Sequence, residues 1–168
     1  MKPSGSAAES LAEVFRCHRS ELVRLGAFIL GDRPAAEDVV QDVFLRMHRH
    51  GDRLADLDDP LPYLRSAVVN GCRSVLRRRL LIRRHAGQDQ PYPPLSAEEA
   101  MLLSEDRRQV LAALAHLPAR RREVLVLRYY AGLSEAEIAA TLGIAVGTVK
   151  SAASRGLDRL EVLLGDSR

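Results

Sequence analysis

Apolar residues recur at helical spacing along nearly the whole chain and almost nowhere alternate with a period of two. Leu11, Val14, Phe15, Leu22, Leu25 and Ile29 form one stripe, which predicts a first helix over about residues 10 to 30. Asp32 then stands where an N-cap is needed, and Pro34 sits early in the next helix, where its missing amide costs least. That helix is expected to bury Val39, Val40, Val43, Phe44 and Met47 and to stop at Gly51. A third, from near Pro60 past Arg79, turns Leu64, Val68, Cys72, Val75 and Leu76 inward. The stretch GQDQPYPPLS, residues 87 to 96, cannot continue a helix and reads as a semi-rigid linker. Beyond it the pattern predicts a helix over about residues 97 to 116 and another opened by Pro118 and running through Tyr130. The expectation is an all-α chain of two small helical domains, residues 1–86 and 98–168, joined by a Pro-rich linker, 87–97.

The stretch LSEAEIAATLGIAVGTVKSAASRGLDRL, residues 133 to 160, reads as two short helices around a glycine turn. Ser134 and Glu137 fit a capping box, Ile138, Ala139 and Leu142 share a face, and Gly143 stands where positive φ ends a helix. The second helix is expected to start near Ala145 or Val146, with Val149, Ala153, Leu157 and Leu160 along its buried side. A small residue at Ala139, a glycine at Gly143 and an apolar anchor at Val149 have the spacing of a helix-turn-helix. The outer face then offers Thr148, Lys150, Ser151, Ser154 and Arg155, all able to bond phosphates or base edges. An ordinary helical hairpin with a solvated face is the alternative. Agreement of spacing, cap and polar face favours DNA.

Composition narrows the class. The chain has 168 residues, 46% apolar but only 4% aromatic, with no Trp. Cys17 and Cys72 lie in apolar helical patterns without CxxC spacing, so both are expected to be small buried residues in a reducing cytoplasm. The start MKPSGSAAES lacks an apolar signal region, and no run approaches membrane-spanning length, so a soluble intracellular protein is expected. No further C-terminal regulatory domain is expected either.

Charge distribution says more than the net +3. Residues 31 to 59 hold eight acids and four arginines, whereas residues 65 to 84 hold seven arginines and no acid. A basic third helix invites a nucleic-acid backbone. An acidic second helix would repel DNA, and a basic protein surface is its simplest partner, a solvated face being the plain alternative. The five histidines are scattered, Asp56, Asp58 and Asp59 lack an EF-hand ladder, and no glycine loop cradles phosphate. No enzyme, metal or cofactor is expected.

Together these segments resemble the extracytoplasmic-function group of bacterial sigma factors, in a form closest in sequence flavour to an actinobacterial subgroup. AAEDVVQDVFLRMHR resembles that family's core-polymerase-binding segment, usually close to AEDLVQETFLRAWR. YLRSAVVNGCRSVLRRR resembles its promoter −10 segment, and LPARRREVLVLRYYAGLSEAEIAATLGIAVGTVKSAASRGLDRL its −35-binding domain. The likeness runs in order over roughly residues 10 to 164. It implies transcription initiation by promoter recognition, with core RNA polymerase and promoter DNA as partners; relatives are often held inactive by an anti-sigma factor. It further implies polymerase docking through Glu37, Asp38, Gln41, Asp42 and Phe44. Tyr63, Asn70, Arg73, Arg77 and Arg78 would serve the −10 strand, and Thr148, Lys150, Ser151, Ser154 and Arg155 the −35 duplex. Tyr63, in the family's usual Trp position, is expected to pack at a helix start, with stacking on DNA as the alternative. Ala152 replaces an arginine common in relatives, which implies one fewer DNA contact, and Ser74 replaces a common acid. A stand-alone helix-turn-helix regulator acting as a dimer would explain the back domain but leave the acidic helix without a partner.

Overall fold

The computed structural model describes residues 5–50, 59–86 and 105–165, and among these residues every regular element is helical. We number them α1 (Gly5–Leu30), α2 (Arg33–His50), α3 (Leu61–Ala86), α4 (Glu105–Ala115), α5 (Ala119–Leu125), α6 (Glu135–Leu142) and α7 (Val146–Gly165). The stop assigned to Gly51, the Pro-rich linker and the start expected near residue 97 lie outside the described residues.

Local chemistry sets the helix ends. Gly31, at φ 64°, closes α1 by donating its amide to the Ala27 carbonyl at 2.7 Å. Asp32 caps α2 by accepting from the Ala35 amide at 3.0 Å, and Asp59 accepts from the Leu61 amide at the head of α3. The front core joins Leu22, Leu25 and Ile29 of α1 to Val40 and Val43 of α2 and Leu64, Val68 and Cys72 of α3, all fully or almost fully buried. Gly71 lets α3 and α2 approach so closely that a Cβ there would stand 2.6 Å from Val39 Cγ1.

The back core is built from Leu114, Leu117, Val124, Leu125 and Leu127 against Ile138, Leu142, Val149 and Ala153. Three details depart from the sequence reading. The helix expected to run from Pro118 through Tyr130 widens after Leu125 into a π-helical turn, Val126–Tyr130, where the Ala131 amide reaches back five residues to the Val126 carbonyl at 3.2 Å. Leu157, expected inside, is 43% exposed. Gly156 takes the inward position, and a Cβ there would meet Leu125 at 3.0 Å. Cys17 is exposed while Cys72 is buried, because Cys17 shares its face of α1 with the exposed Glu13, Ser20 and Arg24.

The two sets of helices touch. α1 meets α4, α5 and the π-helical turn, and α3 meets α6. The Tyr130 ring, carried by the π-helical turn, lies on Phe28 of α1 with centroids 4.7 Å apart.

Candidate nucleic-acid interface

The back surface rests on the α6–α7 unit. Ser134 has extended backbone, its Oγ accepts from the Glu137 amide at 3.3 Å, and Glu137 Oε2 accepts from the Ser134 amide at 2.8 Å. The side-chain and backbone hydrogen bonds from Ser134 hold the Glu137 carboxyl below its ordinary value. Gly143 turns the chain at φ 63°, with open space where a Cβ would stand, so backbone conformation and not crowding demands glycine there. Thr148, Lys150, Ser151, Ser154 and Arg155 are then all exposed on α7. Lys150 Nζ lies 3.7 Å from Glu135, and Ser151 Oγ donates to the Thr148 carbonyl at 3.1 Å. Ala152 is buried and faces the core of the back unit.

The acidic surface lies on α2. Asp38, Gln41 and Asp42 are exposed, and Glu37 is shared between Arg33 at 3.3 Å and Arg19 at 4.0 Å. Phe44 does not join them. It is 7% exposed and packs edge-on against Phe15 with centroids 4.7 Å apart, so it is a core residue of the α1–α2 contact and not a docking contact.

On α3 the side chains divide. Tyr63, Asn70, Arg73 and Arg77 recur at helical spacing along one side. Tyr63 is 54% exposed, which corrects the expectation that it packs at the helix start. Arg77 and Arg78 are exposed, whereas Arg79 pairs with Asp32 at 2.6 Å and Arg65 with Glu21 at 2.7 Å. Arg73 is engaged across the seam between the two sets of helices. Its Nε donates to Glu123 Oε1 at 3.0 Å and its Nη2 to Glu123 Oε2 at 2.9 Å, a bidentate pair. Its Nη1 lies 3.4 Å from both Asn70 Oδ1 and the Leu142 carbonyl. Glu123 is almost wholly buried and also accepts from Arg120 at 3.2 Å. Burial first, and the Glu123 charge second, push the neighbouring Cys72 thiol up to about 12.

Sequence reasoning missed Glu123. It follows three arginines at 120 to 122, so nothing local marks it as the partner of a side chain fifty positions away. It also missed the exposed Leu80, Leu81 and Ile82. Three consecutive apolar residues on a helix point in three directions, which was the available signal. Among the described residues no group of His, Cys, Asp or Glu is placed to hold a metal ion, and no single helix is long and apolar enough to cross a membrane.

Fold and surfaces define a helix-turn-helix DNA-binding protein with a second helical unit of segregated charge. Residues 14–80 match the family model for Sigma-70 region 2, and residues 107–160 that for Sigma-70, region 4. The chain is 34% identical over 157 residues to the ECF RNA polymerase sigma factor SigL of Mycobacterium tuberculosis, covering 88% of this chain and 86% of that relative. It is 31% identical over 148 residues to the RNA polymerase sigma-E factor of Streptomyces avermitilis, covering 88% and 81%. Its fold matches the sigma factor RpoE of Bartonella quintana, solved in complex with the anti-sigma factor NepR, with a TM-score of 0.72 at 23% identity over 95% of this chain and 99% of that one. The chain belongs to the extracytoplasmic-function group of the sigma-70 family: it is an RNA polymerase sigma factor that directs transcription initiation.

Proposed function

We propose that this sigma factor divides its work among three surfaces of two domains, residues 1–86 and 98–168. Glu37, Asp38, Gln41 and Asp42 of α2 dock on a basic surface of core polymerase. Tyr63, Asn70, Arg73, Arg77 and Arg78 of α3 hold the −10 non-template strand. Thr148, Lys150, Ser151, Ser154 and Arg155 of α7 meet the −35 major groove. The observation that carries this reading is the segregation itself: exposed acids on α2, an exposed polar and basic side on α3, and a capped turn that presents the outer face of α7. Acids would repel DNA phosphate, so α2 needs a protein partner, while α3 and α7 carry donors suited to phosphate and base edges.

Promoter opening then proceeds by binding alone, without a covalent step or cofactor. The α7 face fixes register on the duplex, and α3 captures bases that are transiently unstacked. Capture lowers the free energy of the opened state, so the opening equilibrium shifts by mass action. Arginines along α3 bind phosphate in any sequence, whereas Asn70 can bond a base edge. The protein acts where its polymerase does, in the cytoplasm, and an anti-sigma factor, like the NepR bound by RpoE, is a further partner.

Gel filtration of the purified chain with bacterial core polymerase tests the reading. A stoichiometric complex is expected, and Asp38→Arg with Asp42→Arg should abolish it while leaving the helical signal intact, since both side chains are exposed. Unchanged binding by the double variant would remove α2 from the interface. Failure of the unaltered chain to bind, with tight binding to duplex DNA by itself, would favour the dimeric stand-alone regulator.

A further inference from the structure

One carboxylate stands beside the candidate −35 donors. Glu135 opens α6, one residue after the Ser134 cap. Its Oε1 accepts from Arg128 Nη1 of the π-helical turn at 3.2 Å, and its Oε2 lies 3.7 Å from Lys150 Nζ of α7. A single side chain thus links three elements, with both of its oxygens turned to cations. Neither pair is buried, since the Arg128 side chain is 38% exposed and that of Lys150 65%. Pairs so well hydrated add little to stability. The Ser134 cap, the Gly143 turn and the packing of Ile138 and Leu142 against Val149 already hold α6 on α7. The fold therefore has small need of Glu135, and its place beside Lys150 calls for another account.

An acid at this place opposes one part of DNA binding. Sequence-independent affinity for duplex comes from cations that displace the counterions of phosphate. A carboxylate 3.7 Å from the Lys150 ammonium and bonded to the Arg128 guanidinium already occupies the position a phosphate oxygen would take. Each cation must leave Glu135, wholly or in part, to serve a phosphate. Such an exchange is feasible because Glu135 does not depend on the two side chains alone. It lies in the first turn of α6, where open backbone amides and the positive end of the helix dipole favour a negative charge. Lys150 has a flexible four-carbon stem on which its ammonium can swing away. The three side chains thus form a reversible competition at the edge of the α7 face.

We propose that Glu135 is a positioning residue of the −35 face: it acts through Arg128 and Lys150, competing with duplex phosphate for both and weakening the hold of α7 on arbitrary sequence. This rests on the proposed role of α7 as the duplex-binding face. Phosphate contacts carry no sequence information, whereas contacts from Thr148, Ser151 and Arg155 to base edges do not pass through Glu135. Restraining the two cations therefore lowers the part of the affinity that every duplex shares. Non-promoter duplex vastly outnumbers promoters in a genome, so a free chain with a weaker general hold stays available to polymerase. A repulsive or competing charge is one of the two ways in which a surface limits unwanted partners.

The test titrates the full chain against a short fluorescent duplex of random sequence, with salt varied over roughly 50 to 200 mM. Glu135→Gln keeps the size of the side chain and an oxygen for Arg128 but removes the charge. It should bind about threefold or more tightly at the lowest salt. The plot of log affinity against log salt should also steepen by about one, the mark of a further cation serving phosphate. Glu135→Asp keeps the charge and should retain the wild-type slope. Glu13→Gln, an equal charge change at an exposed site of α1, should alter neither affinity nor slope. In a chain carrying Arg128→Ala and Lys150→Ala, Glu135→Gln should no longer steepen the slope, because no cation remains to be released. Steepening that persists in that background would show the carboxylate acting on the duplex directly and would overturn the proposal. Unchanged or weaker binding by Glu135→Gln overturns it too, as does loss of the helical signal, which would make Glu135 a structural residue. The reading of α7 is scored separately: if Ser151→Ala with Arg155→Ala leaves duplex binding by the otherwise unaltered chain intact, α7 is not the duplex face and the proposal falls with it.

Discussion

The two helices assigned to DNA differ in how their polar groups are held. On α7, Ser154 and Arg155 make no side-chain hydrogen bond or ion pair among the described residues, and Lys150 has only a 3.7 Å contact with Glu135. On α3, Arg73 of the proposed −10 set is bound to a carboxylate of another element at 2.9 Å, whereas Arg77 and Arg78 are exposed. A face kept free in the free chain is ready to bind duplex on encounter. A side chain already paired, as Arg73 is, must exchange partners before it binds a phosphate.

Replacing Arg155 by Ala gives the largest expected effect on that contrast. If Arg155 reads a base, binding to a −35 duplex should weaken by about 1–3 kcal/mol, in the free chain and in the polymerase complex alike, because nothing within the chain masks it. Titration of both forms against duplexes with altered −35 bases measures this. A loss that is uniform across sequences makes Arg155 a phosphate contact, and a loss confined to the polymerase complex would mean that α7 too is conditional.

The two units also differ in how tightly their helices are seated. At Gly71 an added Cβ would meet the β-branched Val39, whose stiff side chain cannot swing aside, at 2.6 Å. At Gly156 it would meet the far end of Leu125 at 3.0 Å. Ala in place of helical Gly gains about 1 kcal/mol of propensity. Gly71→Ala should still lose a net 1–2 kcal/mol through overpacking, whereas Gly156→Ala should come out near neutral. Denaturant melts of the two variants decide it; a stable Gly71→Ala chain would show that α2 and α3 can slide apart without loss.

What the sequence disclosed follows from the range of the interactions involved. Caps and turns act over three or four residues, so Asp32, Ser134 with Glu137, and Gly143 could be read directly from residue order. Core stripes were legible where three or more positions agreed, as in Leu22, Leu25 and Ile29. A single residue at the margin of a stripe was not: Cys17 and Leu157 fall just past the edge of theirs. Phe44 was expected both in the buried stripe of α2 and, from the charged motif, among the docking residues, and the fold places it in the core. The π-helical turn has no sequence signature at this length, yet it carries Tyr130 onto Phe28. The seam between the units was illegible altogether, since its key pair joins residues fifty positions apart and opposite charges abound in this chain.

The smallest expected effect concerns the cap that positions α7, a locally encoded feature against which the long-range seam can be compared. Ser134→Ala removes the acceptor for the Glu137 amide and should cost about 1 kcal/mol, or roughly 2–4 °C in midpoint for a chain of this size. Part of that contribution depends on pH. Hydrogen bonds from Ser134 hold the Glu137 carboxyl below its ordinary value of 4.5, so the folded state favours the ionised form. A depressed carboxyl stabilises the fold fully above the unfolded value and loses that contribution as pH falls through the folded one. The gap in melting temperature between wild type and Ser134→Ala should therefore be widest near neutrality and narrow below pH ~4.5. A gap that persists unchanged into strong acid would assign the cap to the serine oxygen alone. A narrowing gap would show that the carboxylate closes the box, and that the orientation of the recognition helix is set by chemistry three residues long.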